Sequence, residues 1–311
     1  MELTLGPVLF EWKREETLRF YDRVADMPVD RVYLGEVVCS KKRGLTVEDV
    51  GTVADRLTRA GKKVVLSSLA VVSNEEEIEL TRSLVKLPFP VEANDMSVFN
   101  MVDPAQREVS AGPHITTYNV PSIEFLKGIG VGRVTFPVEL SGDSIAYNIE
   151  ETGVRGEVFA HGRVPLAFSW RCYTSRAHGL NKTDCRHDCV RYPDGMVIKN
   201  LEGTELFTIN GPSILSAATY TLCEFVEDLS EKGVSSIRIS PQYSGTERVA
   251  EVFKKRIEGS MGPEEALEGL REVSPGGAAG AGGFCNGWWL GAPGKDYFTA
   301  PHRAGIGKNF L

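Results

Sequence analysis

Short, nearly continuous apolar runs recur along the chain with helical patterns between them, and this alternation limits the fold more than any other feature. The runs are Leu3–Phe10, Arg31–Val38, Lys63–Leu69, Phe89–Ala93, His114–Tyr118, Arg133–Glu139, Gly156–His161, Leu206–Ile209 and Ser236–Ser240. Continuous rather than alternating apolar character is expected of parallel strands covered on both faces. Between the runs, Thr46 followed by Glu48 and Asp49 reads as a helix start, and Val47, Val50, Val53, Ala54 and Leu57 form a stripe that Gly61 closes. Helices are also expected over Glu75–Val85, Pro121–Gly128 and, as one long element, Ser213–Lys232. The fold class expected is α/β: a TIM-like (β/α) barrel filling one domain over residues 1–311. An open doubly wound sheet ranks second, because no G-x-G-x-x-G follows a strand.

Two stretches break the alternation. Residues 169–194 are polar and cysteine-bearing, and read as an inserted loop that binds a cluster. Residues 274–311 read as a C-terminal extension, Gly-rich at first and then carrying Cys285-Asn286-Gly287-Trp288-Trp289. The paired tryptophans suggest that this segment packs back on the domain, over a barrel end.

With a net charge of −7 and a pI near 5.4, the chain lacks the basic footprint of a broad nucleic-acid binder. No apolar stretch approaches the roughly 18 residues of a membrane span. Met1–Phe10 has no basic n-region and Glu11 follows at once, so no signal peptide is read. A cytoplasmic protein with six reduced cysteines is the expectation.

In a (β/α) barrel the chemistry lies at the C-terminal strand ends. Polar residues there are Glu36, Asn94, Asp95, Asn119, Glu139, His161, Asn210 and Ser240. Asn94, Asp95, Glu139 and Asn210 are the best candidates, since each ends a strongly apolar run. Capping of the following helix is the ordinary alternative for each.

Cys172, Cys185 and Cys189 form a C-x12-C-x3-C set, and Cys39 lies just past a strand end. Thiolates bind zinc or iron–sulfur clusters, and an Fe4S4 cube takes four of them. Paired C-x2–4-C knuckles, the usual zinc pattern, are missing, so spacing favours a cluster over zinc; free thiols and a Cys–His nucleophile using His187 stay open. Cys223 reads as a core residue, and Cys285 has no assigned role.

The run Glu157–Ser169 resembles the signature of the peptidase U32 family: Glu157, Phe159 and Gly162 match, while Pro165 stands where the signature has cysteine. Similar matches run through Tyr33–Ser40, Asn94–Met96, Pro137–Ser141, Arg171-Cys172, Lys182–Cys189, Asn210-Gly211, Ser240–Gln242 and Cys285–Gly287. They point to a branch of the family required for oxygen-independent, anaerobic ubiquinone biosynthesis. The resemblance implies a [4Fe-4S] cluster on Cys39, Cys172, Cys185 and Cys189. It implies a heterodimer with a UbiU-like paralogue, a UbiT-like lipid carrier in the same pathway, and hydroxylation of a ubiquinone precursor by a donor other than O2, prephenate being the candidate. Arg171 is then a candidate for gripping a carboxylated donor. A cluster-stabilised assembly subunit and a U32-type peptidase are the alternatives, and Pro165 counts against the latter.

Overall fold

The computed structural model describes residues 1–42, 44–273 and 283–300. In chain order its strands begin with β1 (Glu2–Leu5), β2 (Arg31–Gly35), β3 (Lys63–Ser67), β4 (Val91–Ala93), β5 (Val109–Ala111), β6 (Arg133–Thr135) and β7 (Arg155–Gly162). There follow β8 (Pro165–Phe168), β9 (Met196–Lys199), β10 (Glu205–Asn210), β11 (Ser213–Ser216), β12 (Thr219–Thr221), β13 (Ser236–Ile239) and β14 (Phe284–Cys285). Strands β1 to β7 and β13 pair in parallel, and β13 bonds to both β7 and β1, which closes an eight-stranded barrel. The fold is the TIM-like (β/α) barrel expected.

The helices are α1 (Arg14–Val24), α2 (Val47–Arg59), α3 (Glu75–Val85), α4 (Val120–Gly128), α5 (Gly142–Thr152), α6 (Tyr173–Ala177), α7 (Val226–Glu231), α8 (Thr246–Ile257) and α9 (Pro263–Arg271). Local signals set their starts. Thr46 Oγ1 accepts from the Asp49 amide at 3.1 Å and Asp49 returns the bond to the Thr46 amide at 3.0 Å, a capping box. Asn74 caps α3 through the Glu77 amide at 3.0 Å. No described helix is long and apolar enough to cross a membrane.

Strands β1, β2, β3, β6 and β13 stop short of the C-terminal ends of their apolar runs. Val8, Phe10, Val37, Val38 and Leu69 lie past the last paired residues, yet stay buried because they pack over the barrel end. Three expectations need larger correction. His114–Tyr118 is a loop, and the fifth strand is Val109–Ala111. Pro113 cannot donate to a ladder, and Ser110, facing the barrel, masks the short strand. Ser213–Lys232 is β11, β12, a turn of 3-10 helix and the short α7, not one helix; β-branched and aromatic residues at its start found sheet partners. Leu206–Ile209 does lie in a strand, β10, but outside the barrel.

That strand belongs to an insertion. After β7 the chain forms an antiparallel sheet in the order β8-β11-β10-β9, and residues 169–194 are the excursion between β8 and β9. In the C-terminal segment, β14 pairs with β12, and Trp289 Nε1 donates to Asp228 Oδ2 on α7 at 2.7 Å. The segment does return to the domain, packing against the start of α5 and against α7, with β12 joining it to the C-terminal end of β7. Residues 274–282 and 301–311 of the expected extension lie outside the described residues.

Candidate functional site

The barrel interior carries charge. Arg238, 1% exposed, donates from Nε to Glu157 Oε1 and from Nη2 to Glu92 Oε1, both at 2.6 Å, and from Nη2 to Thr135 Oγ1 at 2.9 Å. Tyr33 donates its hydroxyl to Glu157 Oε2 at 2.6 Å, and its ring lies 3.8 Å from the guanidinium carbon. Thr4 donates to Glu157 at 2.8 Å and Ser67 to Glu92 at 2.7 Å. Burial by itself would push the Glu157 carboxyl up, but Arg238, Tyr33 and Arg133 outweigh it and hold Glu157 below its ordinary value. This layer is the floor of a small cavity at the C-terminal mouth, whose walls include Asn94, His114, Phe159 and Ser240.

Asn94 is fixed there by its Nδ2 donating to Ser68 O at 3.1 Å, and its buried Oδ1 has no hydrogen-bond partner among the described residues. His114 packs edge-on against Phe168 of β8, ring centres 4.7 Å apart, so the inserted sheet reaches the mouth. Burial and the Arg238 charge push the His114 imidazole down to about 3, so it is neutral at physiological pH.

Side chains of the mouth also tie down the cysteine loops. Glu36 accepts from the Val38 amide at 2.7 Å and the Cys39 amide at 3.0 Å, and pairs with Lys42 at 3.1 Å. Lys42 donates to Leu9 O at 2.6 Å, the same carbonyl that Asn210 Nδ2 reaches from the inserted sheet. Trp12 Nε1 donates to Pro193 O at 2.7 Å, and Lys41 Nζ to Lys182 O at 2.9 Å. These contacts bring the Cys39 loop, the segment after β1 and residues 172–195 to one end of the barrel.

None of the six cysteines is in a disulfide. Cys172 caps α6, its sulfur accepting from Ser175 Oγ at 3.2 Å, and Cys185 accepts from the His187 amide at 3.3 Å. His187 is the one non-glycine residue at positive φ (59°) among those described, and it turns the chain between Cys185 and Cys189. Burial pushes the Cys189 thiol up to about 12, with Glu11, Cys185 and Cys172 adding to the rise and Lys42 opposing it. Burial likewise pushes Cys39 up to about 11, against Lys42 and Lys182. Cys172, Cys185 and Cys189 lie near enough to influence one another, the Cys39 loop reaches the same barrel end, and thiols suit a thiophilic centre in kind. As the side chains stand, however, no group of three His, Cys, Asp or Glu among the described residues could hold a metal ion.

The other candidates lie as follows. Arg171 lines an open depression with Trp170, Cys172, Arg176 and Lys182, and Lys182 sits 4.8 Å from the Trp170 ring centre. Glu139 is exposed on the rim and accepts the Tyr118 hydroxyl. Asp95 caps the 3-10 turn Met96–Asn100 through the Ser97 amide at 2.8 Å, and Asn119 caps α4. Asn210 ends β10 of the inserted sheet, not a barrel strand, and joins that sheet to the barrel. Cys223 is a core residue as expected, and Cys285 is buried on β14. Arg238, Glu92, Glu157 and His114 were not singled out as site residues from sequence. A charged residue inside an apolar run, as in Ser236-Ile237-Arg238-Ile239, was the available signal.

The profile of peptidase family U32 matches residues 16–273. The chain is 24% identical over 256 residues to a protein named collagenase from Porphyromonas gingivalis, covering 74% of this chain and 60% of that protein. It is 24% identical over 169 residues to the 23S rRNA 5-hydroxycytidine C2501 synthase of Escherichia coli, covering 51% of this chain and 26% of the synthase. It is 24% identical over 236 residues to the tRNA hydroxylation protein P1 of Bacillus subtilis, covering 70% and 55%. The chain therefore spans 60% or less of the length of each of these relatives. With most of its length matched by the family profile, through the barrel and the inserted sheet alike, the chain belongs to the peptidase U32 family.

Proposed function

We propose that this chain is an iron–sulfur protein of UbiV type. It serves oxygen-independent ubiquinone biosynthesis, acting with a UbiU-like partner in hydroxylation of the quinone ring from a donor other than O2, such as prephenate. The observation that carries this reading is the convergence of the Cys39 loop and the Cys172–Cys189 loop on one barrel end. Two relatives named for hydroxylation of RNA support it at the level of reaction type.

Cys39, Cys172, Cys185 and Cys189 are the residues that would hold a [4Fe-4S] cluster. When bound, such a cluster supplies one-electron chemistry. The chain's own residues would bind and orient. Arg171, Arg176 and Lys182 give a cationic depression beside Cys172, suited to a carboxylated donor. Neutral His114 and the unpartnered Asn94 Oδ1 offer hydrogen-bonding groups to a polar ligand in the mouth.

Because the thiols are not grouped for coordination, the proposal requires the 172–189 loop to close on the metal. Anaerobic purification with iron and sulfide counts and EPR tests it. About four of each per chain are expected, falling towards zero in Cys185→Ala. Iron and sulfide at background in the wild-type chain overturn it.

A second reading, an assembly subunit whose partner carries the chemistry, is favoured by the exposed Trp170, Val197, Leu201, Leu206 and Phe207 of the insertion. In that case Cys185→Ala abolishes association with the partner on gel filtration. Under the first reading the pair still forms and ring hydroxylation is lost.

A further inference from the structure

A cavity of about 120 Å³ lies between the C-terminal ends of β1–β3 and helices α1–α3, alongside the loop that carries Cys39. We propose that it is a binding site for a single uncharged aromatic ring. The proposal stands without the cluster reading, since it uses none of the cysteines.

Three observations carry it. The first is size. An enclosed apolar cavity of roughly 150 Å³ stays dry and takes up benzene, so the volume here suits one ring and excludes a fused ring system.

The second is lining. Val8, Phe10, Val50, Leu69, Leu80 and Leu84 supply apolar walls. Of these, Leu80 is half-buried and the others are buried.

The third is the state of the polar groups. Glu36 and Lys42, the charged residues of the lining among the described residues, are bound to each other and to backbone groups of the Cys39 loop and the segment after β1. The Thr17 and Thr81 hydroxyls are turned onto their own helices, donating to Lys13 O at 3.2 Å and Glu77 O at 2.8 Å. A charged ligand would have to break these contacts, whereas an uncharged ring leaves them intact.

The cavity adjoins the Cys39 loop through Glu36, Ser40 and Lys42. A ring held there is placed beside the cysteine-bearing end of the barrel.

The test is ligand-observed fluorine NMR of 4-fluorotoluene with the full chain, competed with toluene and with benzoate. Saturable binding displaced by toluene is expected, with benzoate at least tenfold weaker as a competitor. Val50→Phe fills the cavity and should weaken binding at least tenfold, with circular dichroism reporting its fold. If that variant does not fold, Leu80→Trp, at the half-buried wall, serves in its place. Leu201→Ala, on the exposed insertion, should leave binding unchanged. Non-saturable binding in the wild-type chain, or undiminished binding in a folded filling variant, overturns the proposal.

Discussion

Arg238→Met is the sharpest test of the charged barrel interior. The substitution keeps a long side chain but removes the guanidinium that bonds Glu157 and Glu92 at 2.6 Å each and Thr135 at 2.9 Å. Glu92 then has Ser67 and Asn94 as its remaining side-chain partners, and Glu157 keeps Arg133 at 3.5 Å. Removing one partner of a buried ion pair costs about 3–5 kcal/mol. That is a large share of a domain's stability, and lowers the melting temperature by about 10 °C.

The pH dependence adds a sign. In the wild-type chain Glu157 is held below its ordinary value of 4.5, so its contribution is present above that pH and falls away as the pH drops further. Without Arg238 the buried carboxyl moves up instead. The variant's deficit should therefore shrink as pH falls towards 4, because protonation removes an uncompensated charge. Urea unfolding between pH 4 and pH 8 checks both. A deficit below about 1 kcal/mol at pH 7, or one that grows on acidification, refutes the account of a core whose charges are compensated by Arg238.

Thr46→Ala removes the capping box of α2 and should cost about 1 kcal/mol, read from the urea midpoint at unchanged slope. Gly142→Ala places a Cβ 2.7 Å from Trp289 Cε2, so the indole must leave its seat on α5, giving a red-shifted tryptophan emission and lost stability. An unchanged emission spectrum means that Trp289 is not packed there. His161 is pushed down to about 3 by burial, so the folded chain refuses a proton that the unfolded chain takes up from pH 6.5 downward. Its neutral form thus contributes stability above pH 6.5 that is lost as pH falls towards 3, and His161→Leu should flatten the stability–pH slope in that window by about one proton.

The sequence by itself determined what local chemistry can specify. Continuous apolar runs and capped amphipathic stripes are enough to call for parallel strands with helices between them, which is why seven of the barrel strands coincide with such runs, five lying wholly inside them and β1 and β7 overlapping them. Cysteine spacing likewise singled out one loop, since residues close in sequence stay close in space. Tertiary structure decided the rest. The remaining barrel strand, β5 at Val109–Ala111, has Ser110 between its apolar residues and so gives no continuous run; it exists because β4 and β6 flank it. Ser213–Lys232 has spacing compatible with a helix, but partners in the inserted sheet for β11 and on barrel strand β7 for β12 settled its first half as strands, leaving α7 as its helical part. Asn210 became a tie between that sheet and the barrel, and Arg238, Glu92 and Glu157 became one network, through contacts between residues up to 201 apart in sequence. No local pattern encodes such pairings, because a buried charge is tolerated only where distant strands bring it a partner.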